Sequence, residues 1–217
     1  MRVNGIIFDM DGTLLDSMGI WKTLGSDYLR GRGVQPEPGL DERLKAMSLR
    51  QAAVYFQENY GVAESVGEIL DGVNRMIQHF YLEEVEAKPG AFEFLQRLAA
   101  EGVRMCVATA TENWLAQAAL KRNGLLSFFS QIFTCSDVGV GKDSPKIFKT
   151  ARKALKTKKA ETWVFEDALY AMKSARRAGL HIAAIADDSQ KKDREAIRET
   201  ADVFFRNYQE ASEVFFQ

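Results

Sequence analysis

From about residue 88 onward, short apolar runs alternate with helical patterns, and this alternation constrains the fold more than any other feature of the sequence. Strands are expected at 5–8, 103–108, 131–134, 162–165, 182–186 and 202–205. Helices are expected between them at 91–101, 114–122, 145–156, 170–178 and 193–199. Gly102, Gly124 and Gly179 stand where helix C-caps belong, since glycine accepts the left-handed conformation that ends a helix. Strands separated by helices of this length make βαβ units, and βαβ units make a parallel sheet.

The segment from about residue 18 to 86 breaks the rhythm. It carries helical periodicity and no convincing strand. Ile20, Trp21, Leu24 and Tyr28 fall on one helical face, while Ser48 with Gln51 and Ser65 with Glu68 have the capping-box spacing that opens two further helices. Lys88-Pro89-Gly90 then marks a joint before the alternation resumes. The expected organisation is an α/β core made of residues 1–16 and 88–217, with an α-helical cap domain inserted at 17–87.

Four strand ends carry residues suited to chemistry. The first strand runs into Asp9-Met10-Asp11-Gly12-Thr13. Two carboxylates one residue apart, after a hydrophobic strand, repel one another unless something positive stands between them. A hard cation such as Mg²⁺ would serve, and Gly12 would let backbone N–H groups approach a phosphate. A strand-end turn with solvated aspartates is the plain alternative. The second strand ends at Thr109-Ala110-Thr111, where a hydroxyl and backbone amides precede a helix start, a natural place for an anion.

After the third strand comes Gly139-Val140-Gly141-Lys142-Asp143, in which Lys142 could reach a phosphate as a point charge. This is no P-loop, because Ser136 stands where the first glycine of G-x-x-x-x-G-K is required. The fourth strand ends in Glu166-Asp167, a second acidic pair at the mouth of a hydrophobic strand; N-capping of the next helix by Asp167 is the plain reading there. A Rossmann-like doubly wound sheet of order 3-2-1-4-5, with 202–205 as a candidate sixth strand, would bring all four ends to its topological switch point, where ligands bind.

These segments resemble the haloacid dehalogenase-like superfamily, in the helical-cap subgroup that includes β-phosphoglucomutase and phosphoglycolate phosphatase. Asp9-Met10-Asp11-Gly12-Thr13 resembles the first motif of that family, Thr109 the second, Lys142 the third and Glu166-Asp167 the fourth. The resemblance implies an Mg²⁺-dependent phosphatase acting on a small phosphorylated metabolite through an aspartyl-phosphate. Asp9 would be the nucleophile and Asp11 the general acid and base. Gly12, Thr109, Ala110 and Lys142 would hold the phosphoryl group; Asp9, Asp11, Glu166 and Asp167 would form the metal site. The cap would select substrate, with Trp21 and Arg50, and Asn113 from the core, as candidate contacts.

Two departures weigh against a sugar phosphomutase, the nearest alternative. Trp21 lies where β-phosphoglucomutase carries a cap histidine, and Glu112 where it carries a lysine near the phosphate. Dehalogenation is disfavoured by Asp11 and Gly12-Thr13. A phospho-aspartate receiver or other non-catalytic phosphate-binding module would share the acidic pocket, but it has little use for a helical lid.

Composition excludes other classes. With 29 basic and 30 acidic residues among 217, and a net charge of -1, the chain lacks the basic excess of a nucleic-acid binder. No run approaches the 18 or so apolar residues of a membrane span, and the N-terminus meets an aspartate before a signal-peptide core could form. Cys106 and Cys135 are expected to be small core residues and not a disulfide. A cytoplasmic monomer is the expectation.

Overall fold

The computed structural model describes residues 3–44, 47 and 49–216. Contacts divide the chain into two compact units, Met1–Ser17 with Val85–Gln217, and Met18–Glu84.

In the first unit six parallel strands form one sheet among the described residues: β1 Gly5–Phe8, β2 Arg104–Thr109, β3 Ile132–Thr134, β4 Thr162–Glu166, β5 His181–Ile185 and β6 Val203–Phe205. Their order is β3-β2-β1-β4-β5-β6, so the expected 3-2-1-4-5 order holds and the sixth strand joins β5. β1 is buried along its whole length, as a continuous apolar strand with helices on both sheet faces should be. Its register sets Phe8 level with Val107 on β2 and with Phe165 on β4, which aligns the three strand ends that carry acidic or hydroxyl residues.

The covering helices are α5 Ala91–Ala100, α6 Asn113–Arg122, α7 Cys135–Val138, α8 Lys146–Leu155, α9 Leu169–Ala178, α10 Arg194–Thr200 and α11 Tyr208–Phe215, numbered after the four of the second unit. On α8 the buried side chains are Ile147, Phe148, Ala151 and Leu155, an i, i+1, i+4, i+8 stripe that lays one helical face on the sheet. Gly102, Gly124 and Gly179 each take positive φ just past a helix, as the sequence implied. Two of these covering helices have no counterpart in the sequence reading. α7 is a single turn; α11 is opened by Asn207, whose side chain accepts from the Glu210 amide at 3.0 Å. Cys106 is buried, Cys135 is half-buried against the core, and both thiols are free.

The second unit contains α1 Leu24–Arg30, α2 Leu40–Leu44, α3 Leu49–Tyr60 and α4 Val66–His79, the last continued by a π-helical turn at Phe80–Glu84. No strand lies among its described residues. Tyr28 and Phe56 stack in its core at 5.7 Å, with Leu24, Ile69 and Val73 around them. Ser65 and Glu68 form the expected capping box. Ser48, assigned the other box, lies outside the described residues. The single face drawn through Ile20, Trp21, Leu24 and Tyr28 needs correction. Ile20–Lys22 is a separate 3₁₀ turn ahead of α1, so Leu24 and Tyr28 are buried while Trp21 is 41% exposed. Among the described residues no helix is long and apolar enough to cross a membrane.

Phe94 of α5 packs against Phe8, Phe165, Tyr208, Phe215 and Phe216, and is fully buried. Phe94→Ala should therefore lower unfolding free energy by about 3–5 kcal/mol. Urea denaturation measures this, and a loss under about 1 kcal/mol would show that the cluster repacks around the gap.

Candidate active site

Asp9 is the first residue past β1. Its amide donates to the Phe165 carbonyl at 2.9 Å, which sets it beside Glu166, the last residue of β4. The chain then turns sharply. Gly12, at φ 81°, closes the turn by donating its own N–H to the Leu15 carbonyl at 3.0 Å. That N–H is thereby engaged, so what Gly12 contributes is its conformation. Lys142 enters from the loop between α7 and α8, and its ammonium is buried.

The polar centre is a short chain of contacts. Lys142 Nζ donates to Asp9 Oδ1 at 2.5 Å and pairs with Glu166 Oε2 at 2.7 Å. Glu166 Oε1 accepts from the amides of Asp167 and Ala168, at 3.2 and 3.1 Å, in the turn just ahead of α9. The N-capping expected of Asp167 is not made: Ala168 occupies the N-cap position without a side-chain cap hydrogen bond, and a carboxylate oxygen of Asp167 lies within 4.8 Å of those of Asp9 and Glu166. Thr13 Oγ1 lies 3.1 Å from Asp9 Oδ2 and 3.5 Å from Asp167 Oδ1.

Asp11 is held separately. Ser17 Oγ donates to its Oδ1 at 2.7 Å, while Thr111 Oγ1 and Thr109 Oγ1 reach its Oδ2 at 2.6 and 3.4 Å. Thr109 is fully buried, its neighbour Ala110 is exposed, and Asn113 at the start of α6 donates to Asp137 at 3.3 Å. Glu112 is exposed and accepts from Ser136 Oγ at 2.7 Å. Trp21 and Arg50 are exposed side chains of the helical unit. Thr13 and Thr111 enter the sequence reading only as members of their motif segments, with no role of their own, and Ser17 lies just beyond the first of these; Tyr208, far away in the chain, gave no such signal.

Burial dominates the electrostatics. It raises the Asp9 carboxyl to about 7, the Glu166 charge adds to the rise, and Lys142 opposes it. Burial, then Glu166 and Asp9, hold Asp167 well above the usual carboxylate range. Burial alone would lower the Lys142 ammonium, yet Asp9 and Glu166 hold it well above its ordinary value. Three buried carboxylates thus share one ammonium.

Oxygens of Asp9, Glu166 and Asp167 lie within 4.8 Å of one another, and all three residues are buried. An all-oxygen, net-negative donor set suits a hard divalent cation such as Mg²⁺. Glu166 Oε2 has its ion pair with Lys142 but no well-directed hydrogen bond, which marks the centre as short of positive partners.

Between the ordinary carboxyl value of 3.8 and about 7, folded Asp9 keeps a proton that the unfolded chain has lost. This group therefore lowers the stability of the metal-free protein as pH rises through that window. A divalent cation held there, such as Mg²⁺, would favour the ionised form and offset the loss, and protons would compete with it at low pH. Added Mg²⁺ should accordingly raise Tm more at about pH 7.5 than at about pH 5.5. Thermal melts at both pH values test this, and an equal or reversed shift would contradict it.

Comparison with known proteins agrees with this geometry. A family model described as haloacid dehalogenase-like hydrolase matches residues 6–185. Validoxylamine A 7'-phosphate phosphatase of Streptomyces hygroscopicus subsp. limoneus is 29% identical over 94% of this chain and 93% of its own length. Hexitol phosphatase A of Escherichia coli K12 is 29% identical over 85% of this chain and 84% of its own. Among solved structures, CbbY from Rhodobacter sphaeroides in complex with phosphate superposes with a TM-score of 0.74 at 20% identity, covering 96% of each chain, a likeness of fold. The chain belongs to the haloacid dehalogenase-like hydrolase family.

Proposed function

We propose that this protein is a Mg²⁺-dependent phosphatase that hydrolyses a small phosphorylated metabolite through an aspartyl-phosphate on Asp9. The observation that carries the reading is the buried set of Asp9, Glu166, Asp167 and Lys142 gathered at neighbouring strand ends. The named activities of the two phosphatase relatives support it.

Asp9 attacks phosphorus, and the bond from phosphorus to the leaving oxygen breaks. Asp11 gives its proton to that oxygen, which departs as an alcohol. The Asp11 carboxylate next takes a proton from water as the water attacks the aspartyl-phosphate, releasing orthophosphate and restoring Asp9. Lys142 and Thr109, with the backbone at Ala110, hold the phosphoryl oxygens, and Gly12 shapes the turn beside them. Asp9, Asp167 and the backbone carbonyl of Asp11 would hold Mg²⁺. Glu166 completes that site from behind, since its two oxygens already serve Lys142 and the amides of Asp167 and Ala168. When bound, the ion neutralises charge that builds on the phosphoryl group.

The helical unit would act as a cap that selects substrate, and Trp21 and Arg50 are its candidate contacts. Hydrolysis is preferred to mutase chemistry because of the charge at the start of α6, three residues beyond Thr109. Glu112 sits at the N-cap position of that helix, where a returning bisphosphate would need a positive partner. A carboxylate there opposes such an intermediate by several tenths of a kcal/mol or more. Water needs no such grip.

Asp9→Asn should abolish Mg²⁺-dependent release of phosphate from an aryl phosphate. Asp11→Asn should slow it by about 10²–10⁴-fold. Full activity in either variant would refute the mechanism. Incubation with β-glucose 1-phosphate and a bisphosphate primer should yield free phosphate; rapid conversion to glucose 6-phosphate would select the mutase reading.

A further inference from the structure

We infer that Tyr208 is a positioning residue for the nucleophilic aspartate, acting through the Thr13 peptide from the far end of the chain; the inference rests on the function proposed above. Tyr208 opens α11, and its Oη donates to the Thr13 carbonyl at 3.1 Å across 195 residues of sequence. Both residues are buried. The hydroxyl of the same Thr13 faces Asp9 Oδ2 and Asp167 Oδ1. With Lys142 on Asp9 Oδ1, the Thr13 contact fixes the second oxygen of the nucleophile, and therefore the rotation of its carboxylate.

The tyrosine is itself held on several sides. Its ring lies parallel to Phe165 at 6.4 Å and tilted on Phe94 at 5.3 Å. Gly90, at φ 81°, passes so close that a Cβ there would lie 3.2 Å from the Tyr208 Cβ. A ring wedged in this way has little freedom, so its hydroxyl is an immobile donor. Burial, with the Asp9 and Asp167 charges nearby, holds the phenol well above its ordinary value, which keeps the proton on Oη. A post of this kind serves catalysis because a nucleophile misplaced by about 1 Å can lose about 10²-fold in rate. The chemistry in the proposed mechanism makes no use of the phenol, and no motif marks it.

Tyr208→Phe removes only the hydroxyl and keeps the packed ring. Steady-state kinetics on an aryl phosphate with Mg²⁺ should show kcat lowered about tenfold and KM held within about twofold. Thr13→Val should lower kcat as well, and the double variant should be no slower than the slower single variant, because the two residues act in series. Unchanged kcat in Tyr208→Phe, even with a lowered Tm, would overturn the inference, and so would losses that simply multiply in the double variant. Titration of the intact protein with Mg²⁺ alone, followed by thermal melting, provides a readout independent of turnover. Loosening Thr13 frees both Asp9 and Asp167, so the half-saturating Mg²⁺ concentration should rise in Tyr208→Phe. If the wild-type chain hydrolyses no phosphomonoester, the proposed function has failed, and this titration decides the role of Tyr208 alone; an unchanged midpoint would reject it.

Discussion

The buried ammonium of Lys142 is the contact on which the rest of the polar centre depends. It touches Asp9 on one side and Glu166 on the other, and these come from adjacent parallel strands. Burying ionised groups costs several kcal/mol each unless partners replace water, and a buried pair broken on one side leaves the other charge stranded. One ammonium among three carboxylates satisfies the requirement only in part, and the upward displacement of Asp9 and Asp167 is the physical expression of the shortfall. A centre in this condition is ready for a divalent cation and for an anion brought with it, which is the pairing that phosphoryl transfer requires.

Such a centre is held in place by apolar packing directly beneath it. Phe8 precedes Asp9, Phe165 precedes Glu166, and the two rings meet at 4.9 Å because the strands are in register. Side chains alternate along a strand, so aromatic rings on one face turn the following residues away from that core. Phe94 and Phe215 complete the cluster from α5 and α11, both outside the sheet. The acidic strand ends are thus fixed by aromatic contacts that the carboxylates themselves do not make.

Most of this was legible in the sequence because it is local. Strand–helix alternation pointed to the parallel sheet, and Asp9, Thr109, Lys142 and Glu166 each stand at or near a strand end that apolar runs and glycines marked. What escaped was either too short or too distant. α7 spans four residues, less than any periodicity can register, and α11 follows a strand of only three. The Tyr208 contact to Thr13 joins opposite ends of the chain, and no spacing rule reports it. The missing cap of Asp167 escaped for a different reason: residue type alone does not say where a side chain points, and Ala168, not Asp167, takes the N-cap position. The single face assigned to Ile20 through Tyr28 failed where a 3₁₀ turn shifted the phase, leaving Trp21 exposed.

The turn that follows β1 must also withstand the insertion of a whole helical unit immediately after it. Within the first unit, the points where the chain leaves and returns are bonded to one another. Leu15 bridges Ala87, the Asp16 amide donates to Glu86 at 2.9 Å, and the Lys88 amide donates to Leu14 at 2.8 Å. Lys88 then pairs with Asp187 at 2.7 Å, beyond the end of β5, and Asn123 accepts from the Ala87 amide at 2.7 Å. The segment carrying Asp9, Asp11 and Thr13 is therefore held upstream by β1 and downstream by this paired exit, with Tyr208 bracing its middle. Because those bonds lie inside the first unit, both ends of the carboxylate-bearing segment are tied to the sheet and its own covering elements.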